Sequence, residues 1–589
     1  MVEEKVVWNL DELLDGKSFE VIITEVNVLV KTFVEKKSLL KDDISSQTLL
    51  SLIKEKELIY SKFARLSAFY SLRFNENTSD QEALAKLSQL NQLGSELENE
   101  LLFFSFWFMH LNDKKSDELI NDELLQSYKG HLEAIKSFEK HTLSEDVEKL
   151  LTLKNITGGG AFDNIYEVFT GGFTFLFDGK ELPQEQVSSK YKSKNPEERK
   201  NAYDVVYGKF SENSTVLGEI YKNIVLDSYN ELVKIRNYLV PISARNLSNK
   251  VTDSSVATLF KVIRKNVSVF REFFKLKNEL LKKNGQPSEF SRYHIYAPFE
   301  YGADENFDFV TSKAFVLDTY KKFDVRFYDA AKKIFDANHV HSHPEKNKRS
   351  GAFCYDITNK DIPYILLNHS DSVRDIFTMM HEFGHGIHDV FSSSQVDLVA
   401  HAKLPLAETA SVFGEMLLAS RFLNEATDPK KKAALLIQLL DNQWATIVRQ
   451  AYFVMFEEWA HENIRNGKTK DEIDAFYSSL LKEQFGDMEI PEIFNHEWNY
   501  IPHIHASPFY CYAYAWGNLL VLAFYSMYQK EGSEFVEKYI KFLSAGSSKS
   551  TSDILKDMGV DPESEEFWQQ GFDIIKQEVE DLKNLTDKF

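Results

Sequence analysis

Cysteine, glycine and proline are all scarce in this chain of 589 residues. The two cysteines, Cys354 and Cys511, are too few for a disulfide framework, and no motif around either one marks a catalytic thiol. With 24 glycines and 13 prolines, few residues interrupt secondary structure, and leucine, lysine, glutamate and phenylalanine are abundant. These features favour long helices, and we predict a mostly helical protein.

Positive charge is in the minority as well. The chain has 69 lysine and arginine residues against 90 aspartate and glutamate residues, a formal net charge of −21. An acidic body repels phosphate backbones, so we do not expect nucleic acid as a partner. Hydrophobic residues make up 43% of the chain, which is enough for a packed core and argues against global disorder.

The sequence offers little that would direct it to a membrane. Its first residues are partly acidic and lack the apolar run of a secretory signal, so we expect a cytoplasmic location. Residues 506–529 carry no formal charge and are long enough to span a bilayer. Pro508, Asn518 and five tyrosines distribute polar groups along this segment, so we predict a buried helix instead, and no membrane partner.

Glycines also mark the organisation of the chain. Residues 18–150 alternate amphipathic helical runs with short polar joints, and no repeat of fixed period indicates a solenoid. Three consecutive glycines, 158–160, mark a junction. We therefore predict an N-terminal helical region, residues 1–160, followed by a second region, residues 161–589.

Two short stretches have the residue pattern that is typical of β-strands. From Gly171 onward, aromatic and β-branched residues alternate and are followed by Asp-Gly, which predicts a hairpin. Residues 348–369 contain two β-rich runs joined by a polar turn, with Pro363 at the start of the second run, where a missing N–H is tolerated. A small sheet is therefore expected directly before the segment that carries the chemistry.

That segment, residues 372–391, reads SVRDIFTMMHEFGHGIHDVF, with apolar residues at the steps of three and four that one helical face requires. His381 and His385 lie four apart, so both imidazoles project from one side and can share a tetrahedral metal ion. Glu382 lies about a quarter-turn away, poorly placed to join these ligands but well placed to act on a water molecule beside the metal.

A chance HExxH match on a structural helix is the competing interpretation. Gly384 and Gly386 argue against it, because each glycine inside a helix costs about 1 kcal/mol relative to alanine. A helix that accepts both beside two histidines needs close approach by another segment. We therefore favour a site for one zinc ion per chain, although the motif does not exclude another divalent ion.

The third ligand must come from elsewhere. His388 and Phe391 occupy the positions at which the metzincin pattern has a glycine and a third histidine, so that class is excluded. A carboxylate from the next helix remains: Glu408 follows His385 by 23 residues, and Glu415 lies seven further on, on the same face. Either could be a solvated surface group. We predict Glu408 as the ligand and Glu415 as an acceptor for a ligand histidine N–H.

At this point the sequence resembles a known family. HEFGHGIH from His381 followed by AETASVFGE from Ala407 is similar to the M3 metallopeptidases, the thimet oligopeptidase and oligoendopeptidase F group. KRSGAFCYDI, PYILLN, WNLDELLDG, AFDNIYEVF and IPHIHASPFYCYAYAWG resemble oligoendopeptidase F as well. The resemblance covers nearly the whole chain. It implies a mostly helical, two-lobed body with a deep substrate channel and a small sheet next to the zinc-site helix.

The resemblance also assigns parts and residues. It makes residues 161–589 the catalytic region, with the zinc site in 372–420 and a tyrosine-rich wall in 501–528. In the family a histidine and tyrosines of this wall face the zinc and stabilise the transition state. His503 and Tyr514 match those positions. Cys511 stands where some relatives carry a second catalytic tyrosine.

The remaining predicted residues concern substrate binding. Tyr510 or Tyr512 could replace that second tyrosine, and His505 lies in the same stretch; a core aromatic stripe is the competing interpretation for each tyrosine. Gly351 and Ala352 are small, so an edge strand there could hold an extended peptide by backbone hydrogen bonds. In the competing interpretation these two residues form a tight turn.

The metal motif predicts a zinc-dependent peptidase in which zinc and Glu382 activate a water. The resemblance implies an endopeptidase that hydrolyses short, unstructured oligopeptides, with His503 and Tyr514 stabilising the oxyanion. Two alternatives stay open. A zinc carboxypeptidase would need a site for a free carboxylate, and no motif marks one. A peptide-binding scaffold with a vestigial metal site would not need the complete set of His381, Glu382, His385 and Glu408. Cleavage preference and oligomeric state are not determined by the sequence.

Overall fold

In the computed structural model the chain divides into two compact units, each built from three separate stretches of sequence. Unit 1 comprises Met1–Glu139, Ala303–Arg421 and Tyr528–Val560. Unit 2 comprises Lys140–Gly302, Phe422–Met527 and Asp561–Phe589. The structure describes residues 6–286, 289–299 and 306–586. The predicted division of the sequence at residue 160 stays a prediction.

Unit 1 begins with five helices: α1 (Phe19–Glu35), α2 (Ser46–Glu76), α3 (Gln81–His110), α4 (Asp113–Ile120) and α5 (Lys129–Ser137). The first four start after Ser18, Ser45, Asp80 and Asn112, whose side chains each accept a hydrogen bond from a backbone N–H of the first turn. Their apolar stripes face one another and form a continuous core.

Unit 2 begins with a hairpin among helices: α6 (Glu145–Asn155), α7 (Gly159–Gly171), β1 (Phe175–Phe177), β2 (Lys180–Leu182), α8 (Gln184–Ser188), α9 (Pro196–Glu212), α10 (Ser214–Tyr229), α11 (Pro241–Ser248) and α12 (Asp253–Lys283). β1 and β2 pair antiparallel, with Phe175 opposite Leu182, which confirms the hairpin predicted after Gly171. Asp178 and Gly179 form its turn, and both have positive φ.

The middle stretch of unit 1 contains a small sheet among helices, and the last of these helices ends just beyond the stretch. In chain order the elements are α13 (Phe309–Phe323), α14 (Val325–Asp336), β3 (Val340–His341), β4 (Phe353–Tyr355), β5 (Tyr364–Leu366), α15 (Val373–Ser392), α16 (Asp397–Ala400), α17 (Leu404–Ala407) and α18 (Thr409–Glu425). The strand order is β3-β5-β4, with β5 parallel to β3 and antiparallel to β4. Both β4 and β5 contact α15. The two predicted strands are therefore confirmed, whereas β3, only two residues long, was not predicted.

The remaining helices are α19 (Pro429–Gln443), α20 (Arg449–Asn463), α21 (Lys470–Phe485), α22 (Pro502–Ala506), α23 (Tyr512–Glu531), α24 (Ser533–Leu543), α25 (Thr551–Asp557) and α26 (Glu565–Thr586). Most residues of α23 are buried, as expected for the uncharged segment. None of the helices within the described ranges is both long and apolar enough to cross a bilayer. The prediction of a mostly helical protein, with a small sheet beside the helix that carries His381, is confirmed.

The core of unit 2 encloses charge. Glu497 is 1% exposed and accepts hydrogen bonds at 2.9 Å from both Arg292 and Arg449, and another from Tyr207 at 3.1 Å. These positive partners hold the pKa of Glu497 below its usual range although burial works in the opposite direction. Because a buried carboxylate is costly without such partners, this contact ties α9, α20 and the segment around Glu497 together.

Candidate active site

Helix α15 carries the HExxH motif. It starts with a capping box, in which Ser372 accepts from the N–H of Asp375 while Asp375 accepts from the N–H of Ser372. The side chains of His381 and His385 remain partly accessible, with 28% and 24% exposed, while Glu382 is buried beside them. The helix thus presents two imidazoles on its accessible face, as the spacing predicts.

Glycine brings the next helix against this face. A Cβ added to Gly384 would lie 2.4 Å from Cα of Ser411 and 2.6 Å from the carbonyl oxygen of Ala410, so only glycine fits. One added to Gly386 would lie 2.5 Å from Cδ1 of Ile334. The close approach of other segments therefore explains both glycines, and Gly384 lets the start of α18 contact α15.

Glu408 lies directly before α18 and points back to the two histidines. Nε2 of His381 is 3.3 Å from Nε2 of His385, and Oε2 of Glu408 is 3.5 Å and 3.4 Å from these two nitrogens. Tetrahedral zinc holds nitrogen and oxygen ligands at about 2.0–2.1 Å, which separates the ligand atoms by about 3.3–3.4 Å. The three atoms therefore have the spacing of three corners of a zinc tetrahedron. Among the described residues, only these three form a group that could hold a metal.

Two further side chains orient this group. Nδ1 of His381 donates to Oε1 of Glu415 at 2.5 Å, so Nε2 is the nitrogen that can give up its proton to bind a metal. The hydroxyl of Ser411 donates to Oε2 of Glu408 at 2.8 Å. Sequence analysis predicted the contact with Glu415 but did not identify Ser411. Its position three residues after Glu408 was the available signal, because such residues share a helical face.

The charges around the two histidines favour a cation. Burial opposes a charge on His381, but Glu415 and Glu408 outweigh it and raise the pKa of its imidazole to about 9. The same competition raises the pKa of His385. Burial works to raise the pKa of Glu408, yet its hydrogen bond with His385 lowers that pKa to about 2. Negative charge thus converges on the point that the three ligand atoms face.

Glu382 has a different environment. Burial raises the pKa of its carboxyl group above the usual range, although His381 and His385 act to lower it. The nearby backbone N–H of Cys354, in β4, acts to lower this pKa slightly. A carboxylate with a raised pKa is suited to accept a proton and release it again.

A second polar cluster lies beside β4. Asp356 is paired with Nδ1 of His401, and Sγ of Cys354 lies 3.7 Å from Oδ2 of Asp389. Burial and the neighbouring Asp356 raise the pKa of Asp389 to about 7. Sequence analysis missed these groups, since Asp356 and His401 are 45 residues apart and belong to no shared motif.

Gly351 and Ala352 lie immediately before β4, at an edge of the three-stranded sheet. Gly351 is exposed and has a φ of +83°, and its carbonyl oxygen accepts from the side chain of Asn368 at 2.7 Å. The conformation explains the glycine, because φ in this range strains other residues. Substrate binding by these residues stays a prediction.

In unit 2, three predicted residues line one recess. His503, Tyr510 and Tyr514 surround a cavity of about 270 Å³ with Pro502, Ala506 and Ser507. The ring of His503 lies 6.2 Å from that of Tyr514 and 5.9 Å from that of Tyr510, and the two tyrosine rings are 5.5 Å apart. His503 is exposed as a residue, yet partial desolvation of its ring and the positive charge of Arg449 lower the pKa of its imidazole.

The other residues of this segment point elsewhere. Tyr512 is completely buried, and its hydroxyl accepts from the amide of Asn249 at 2.7 Å. Cys511 is buried too, and burial raises its pKa. His505 is 2% exposed and stacks on Tyr166, with ring centroids 3.9 Å apart. Because residues two apart on a helix face nearly opposite directions, Tyr512 lies outside the recess that Tyr514 lines. Substrate binding by Tyr512 and by His505 stays a prediction.

The chain is similar to known proteins along its whole length. "Oligopeptidase PepF" of Bacillus subtilis is 25% identical over 100% of this chain and 88% of its own length, and "Oligoendopeptidase F homolog" of Borreliella burgdorferi is 26% identical over 99% of each. Among solved structures, a protein of Chlamydophila abortus has a TM-score of 0.87 at 23% identity, covering 98% of both chains. Oligoendopeptidase-F of Enterococcus faecium has a TM-score of 0.71 at 19% identity, covering 96% and 99%. These structures share the fold.

Two family patterns match the sequence directly. Residues 107–175 match the pattern described as Oligopeptidase F. Residues 190–574 match the pattern described as Peptidase family M3, which is well over half of the chain and includes the group formed by His381, His385 and Glu408. The chain therefore belongs to peptidase family M3 and is a metallo-endopeptidase.

Proposed function

We propose that this protein is a zinc-dependent endopeptidase that hydrolyses short, unstructured oligopeptides. The observation that carries the proposal is the convergence of His381, His385 and Glu408 to tetrahedral spacing, with the buried carboxylate of Glu382 on the same turn. The names of the relatives, oligopeptidase and oligoendopeptidase, support the substrate class.

His381, His385 and Glu408 would hold the zinc ion, and Glu415 and Ser411 keep two of these ligands oriented. When bound, zinc supplies Lewis-acid chemistry, which polarises a peptide carbonyl and acidifies water. Imidazole and carboxylate donors suit this borderline-soft ion.

Glu382 is the proposed general base. Its carboxylate removes a proton from the attacking water and later delivers that proton to the amine of the leaving peptide. Burial keeps the pKa of this carboxylate high enough for the return step. His503 and Tyr514 are the proposed hydrogen-bond donors to the developing oxyanion. Their shared recess and their match to the family segment support these roles.

The decisive test uses quenched-fluorescence peptides together with metal analysis. We expect hydrolysis of internal bonds by protein that contains one zinc ion per chain, loss of activity with a chelator, and recovery on adding zinc. Mass spectrometry of the products separates internal cleavage from removal of C-terminal residues. Steady release of single C-terminal residues would instead favour the carboxypeptidase alternative, and binding without hydrolysis would favour the scaffold.

The cytoplasmic location, the absence of nucleic-acid partners and the assignment of residues 161–589 as the catalytic region also stay predictions. Folded proteins should resist digestion, because only extended segments can lie along an edge strand such as β4. Incubation with a stably folded protein and with its unfolded, alkylated form tests this directly. Equal degradation of both would contradict the proposed preference.

A further inference from the structure

Unit 2 contains a second and larger cavity, of about 420 Å³, that the proposed chemistry does not use. It lies between α7, α10 and α11 and the segment that joins α22 to α23. The charged or polar side chains that line it include Asp163, Asp227, Glu231, Arg245 and His505. The nature of its ligand follows from which of these groups already have partners.

His505 provides the clearest evidence. The contact of Nδ1 with the carbonyl oxygen of Ile501, at 3.1 Å, requires that Nδ1 carries the proton, because a carbonyl only accepts. Burial lowers the pKa of the imidazole to about 4, so the ring is neutral at pH 7. Nε2 must then be an acceptor. This nitrogen is buried, since His505 is only 2% exposed, and it has no hydrogen-bond partner among the described residues.

A carboxylate adds a second free acceptor. Oδ1 of Asp163, on α7, is also buried without a partner among the described residues. Both residues line the cavity, and an unpaired buried acceptor is costly, which favours a ligand that donates hydrogen bonds there. Neither His505 nor Asp163 forms a hydrogen bond or an ion pair with the other charged side chains that line the cavity.

Those other charged groups are already engaged. Asp227 accepts from the N–H of Gly159 at 3.2 Å, Glu231 pairs with Arg236 at 2.8 Å, and the guanidinium of Arg245 donates to the carbonyl oxygen of Pro508 at 3.3 Å. Three carboxylates against one guanidinium leave the lining acidic. A positive charge on the donor would therefore be favoured as well.

The cavity adjoins the recess of His503 and Tyr514, because Ala506 lines both. We propose that a peptide held in that recess extends past Ala506 into the cavity, and that the cavity binds a cationic nitrogen of this peptide, either its α-ammonium group or the side chain of a lysine or arginine. This inference rests on the proposed peptidase function and adds a charge preference to it.

The test compares two quenched peptides of identical norleucine-containing sequence, one with a free N-terminus and no basic residue and one acetylated and uncharged. A set of acetylated peptides is added, in which a single lysine replaces one norleucine at each position in turn. We expect kcat/KM to be about 10-fold higher for a cationic peptide than for the uncharged one, a usual contribution for a hydrogen bond to a charged group. The free N-terminus and the lysine scan separate the two sources of the cation.

Asp163→Asn keeps the size of the side chain and removes its charge. It should abolish the preference for the cationic peptide while leaving kcat/KM for the uncharged peptide unchanged. Asp146→Asn, at an exposed position of α6 in the same unit, is the matched control and should keep the preference.

Each result decides the matter. Equal cleavage of charged and uncharged peptides by the unaltered protein, or a preference that survives Asp163→Asn, would overturn this inference and leave the peptidase function intact. Failure of the unaltered, zinc-loaded protein to cleave any of the peptides would instead overturn the proposed function, and this inference with it. If Asp163→Asn does not fold, the comparison of peptides on the unaltered protein still decides.

Discussion

Nδ1 of His381 and Oε1 of Glu415 are 2.5 Å apart, although the two residues lie on different helices. In the neutral imidazole, the form that binds a metal, the contact fixes the proton on Nδ1, and it leaves Nε2 to face His385 and Glu408. The acceptor on α18 thus determines the orientation of a proposed ligand on α15.

Glu415→Gln should therefore weaken metal binding without removing a ligand. An amide oxygen still accepts a hydrogen bond but carries no charge, and loss of such a partner typically costs about 10–100-fold in metal affinity. Competition for zinc with a chromogenic chelator measures the change. Glu425→Gln, at an exposed position of the same helix, is the control and should bind zinc like the unaltered protein. Unchanged zinc affinity of Glu415→Gln would contradict the proposed role.

Glu382→Gln and Glu408→Ala should separate chemistry from metal binding. Glu382→Gln cannot accept a proton, so we expect it to retain zinc and lose at least about 100-fold in kcat. Glu408→Ala removes a proposed ligand and should lose zinc and activity together. Metal content by mass spectrometry and peptide hydrolysis should be measured on the same preparations. Full zinc occupancy of Glu408→Ala at a normal rate would exclude Glu408 as a ligand.

Tyr514→Phe and Tyr512→Phe form a matched pair on one helix. Tyr514 lines the recess, so loss of its hydroxyl should lower kcat by about 10²–10³ with little change in KM, as expected for a donor to the transition state. Tyr512 is buried against Asn249, so its variant should lower stability and leave kcat within about two-fold, well short of a donor's contribution. A large loss of kcat in Tyr512→Phe alone would reverse the assignment.

Gly384→Ala tests the approach of α18 to α15. The new methyl group would lie 2.4 Å from Cα of Ser411, so one helix must move, at a cost of about 1–3 kcal/mol in the free energy of unfolding. Zinc affinity should fall as well, because Glu408 moves with α18. Gly171→Ala is the control, since an added Cβ there meets no atom within 4 Å. Equal denaturation curves for the two variants would show that the contact tolerates a side chain.

Glu578 should make the stability of the protein depend on pH. Burial raises its pKa to about 8, while in an unfolded chain a glutamate titrates near 4.3, so between these values the folded state binds the additional proton. Its contribution to stability is therefore present below about pH 4 and is lost as the pH rises toward 8, by up to about 1.4 kcal/mol per pH unit.

Glu578→Gln removes this titration, so its stability relative to the unaltered protein should increase between pH 5 and pH 8. Urea denaturation at several pH values measures the difference. Glu580→Gln, an exposed position on the same helix, is the control and should follow the unaltered protein. A constant difference across the range would mean that Glu578 is charged in the folded state.

The sequence predicted those parts of the candidate site that depend on spacing along one helix. His381 and His385 are four apart, and Glu408 and Glu415 are seven apart, so their common faces follow from helical geometry. The two internal glycines also indicated a close neighbour, but they could not identify Ser411 as that neighbour, because its distance in sequence from Gly384 gives no spatial information.

Residues that act across elements could not be predicted in this way. His503 and His505 stand in the same short motif, yet one is exposed and the other is buried against Tyr166, because α22 turns them to different sides. The pairing of Asp356 with His401 likewise arises only when β4 and the end of α16 come together. The small strand β3 escaped prediction because two residues show no periodicity.

The absence of a side chain at Gly384 has a consequence for how the proposed metal site loses and rebinds its ion. Backbone meets backbone where α15 and α18 touch, so the relative position of the proposed ligands is set by main-chain packing as well as by the ion. Such a site is preorganised before metal arrives. Zinc should consequently dissociate and rebind without unfolding of unit 1, and a chelated sample should regain full activity on adding zinc, with no refolding step.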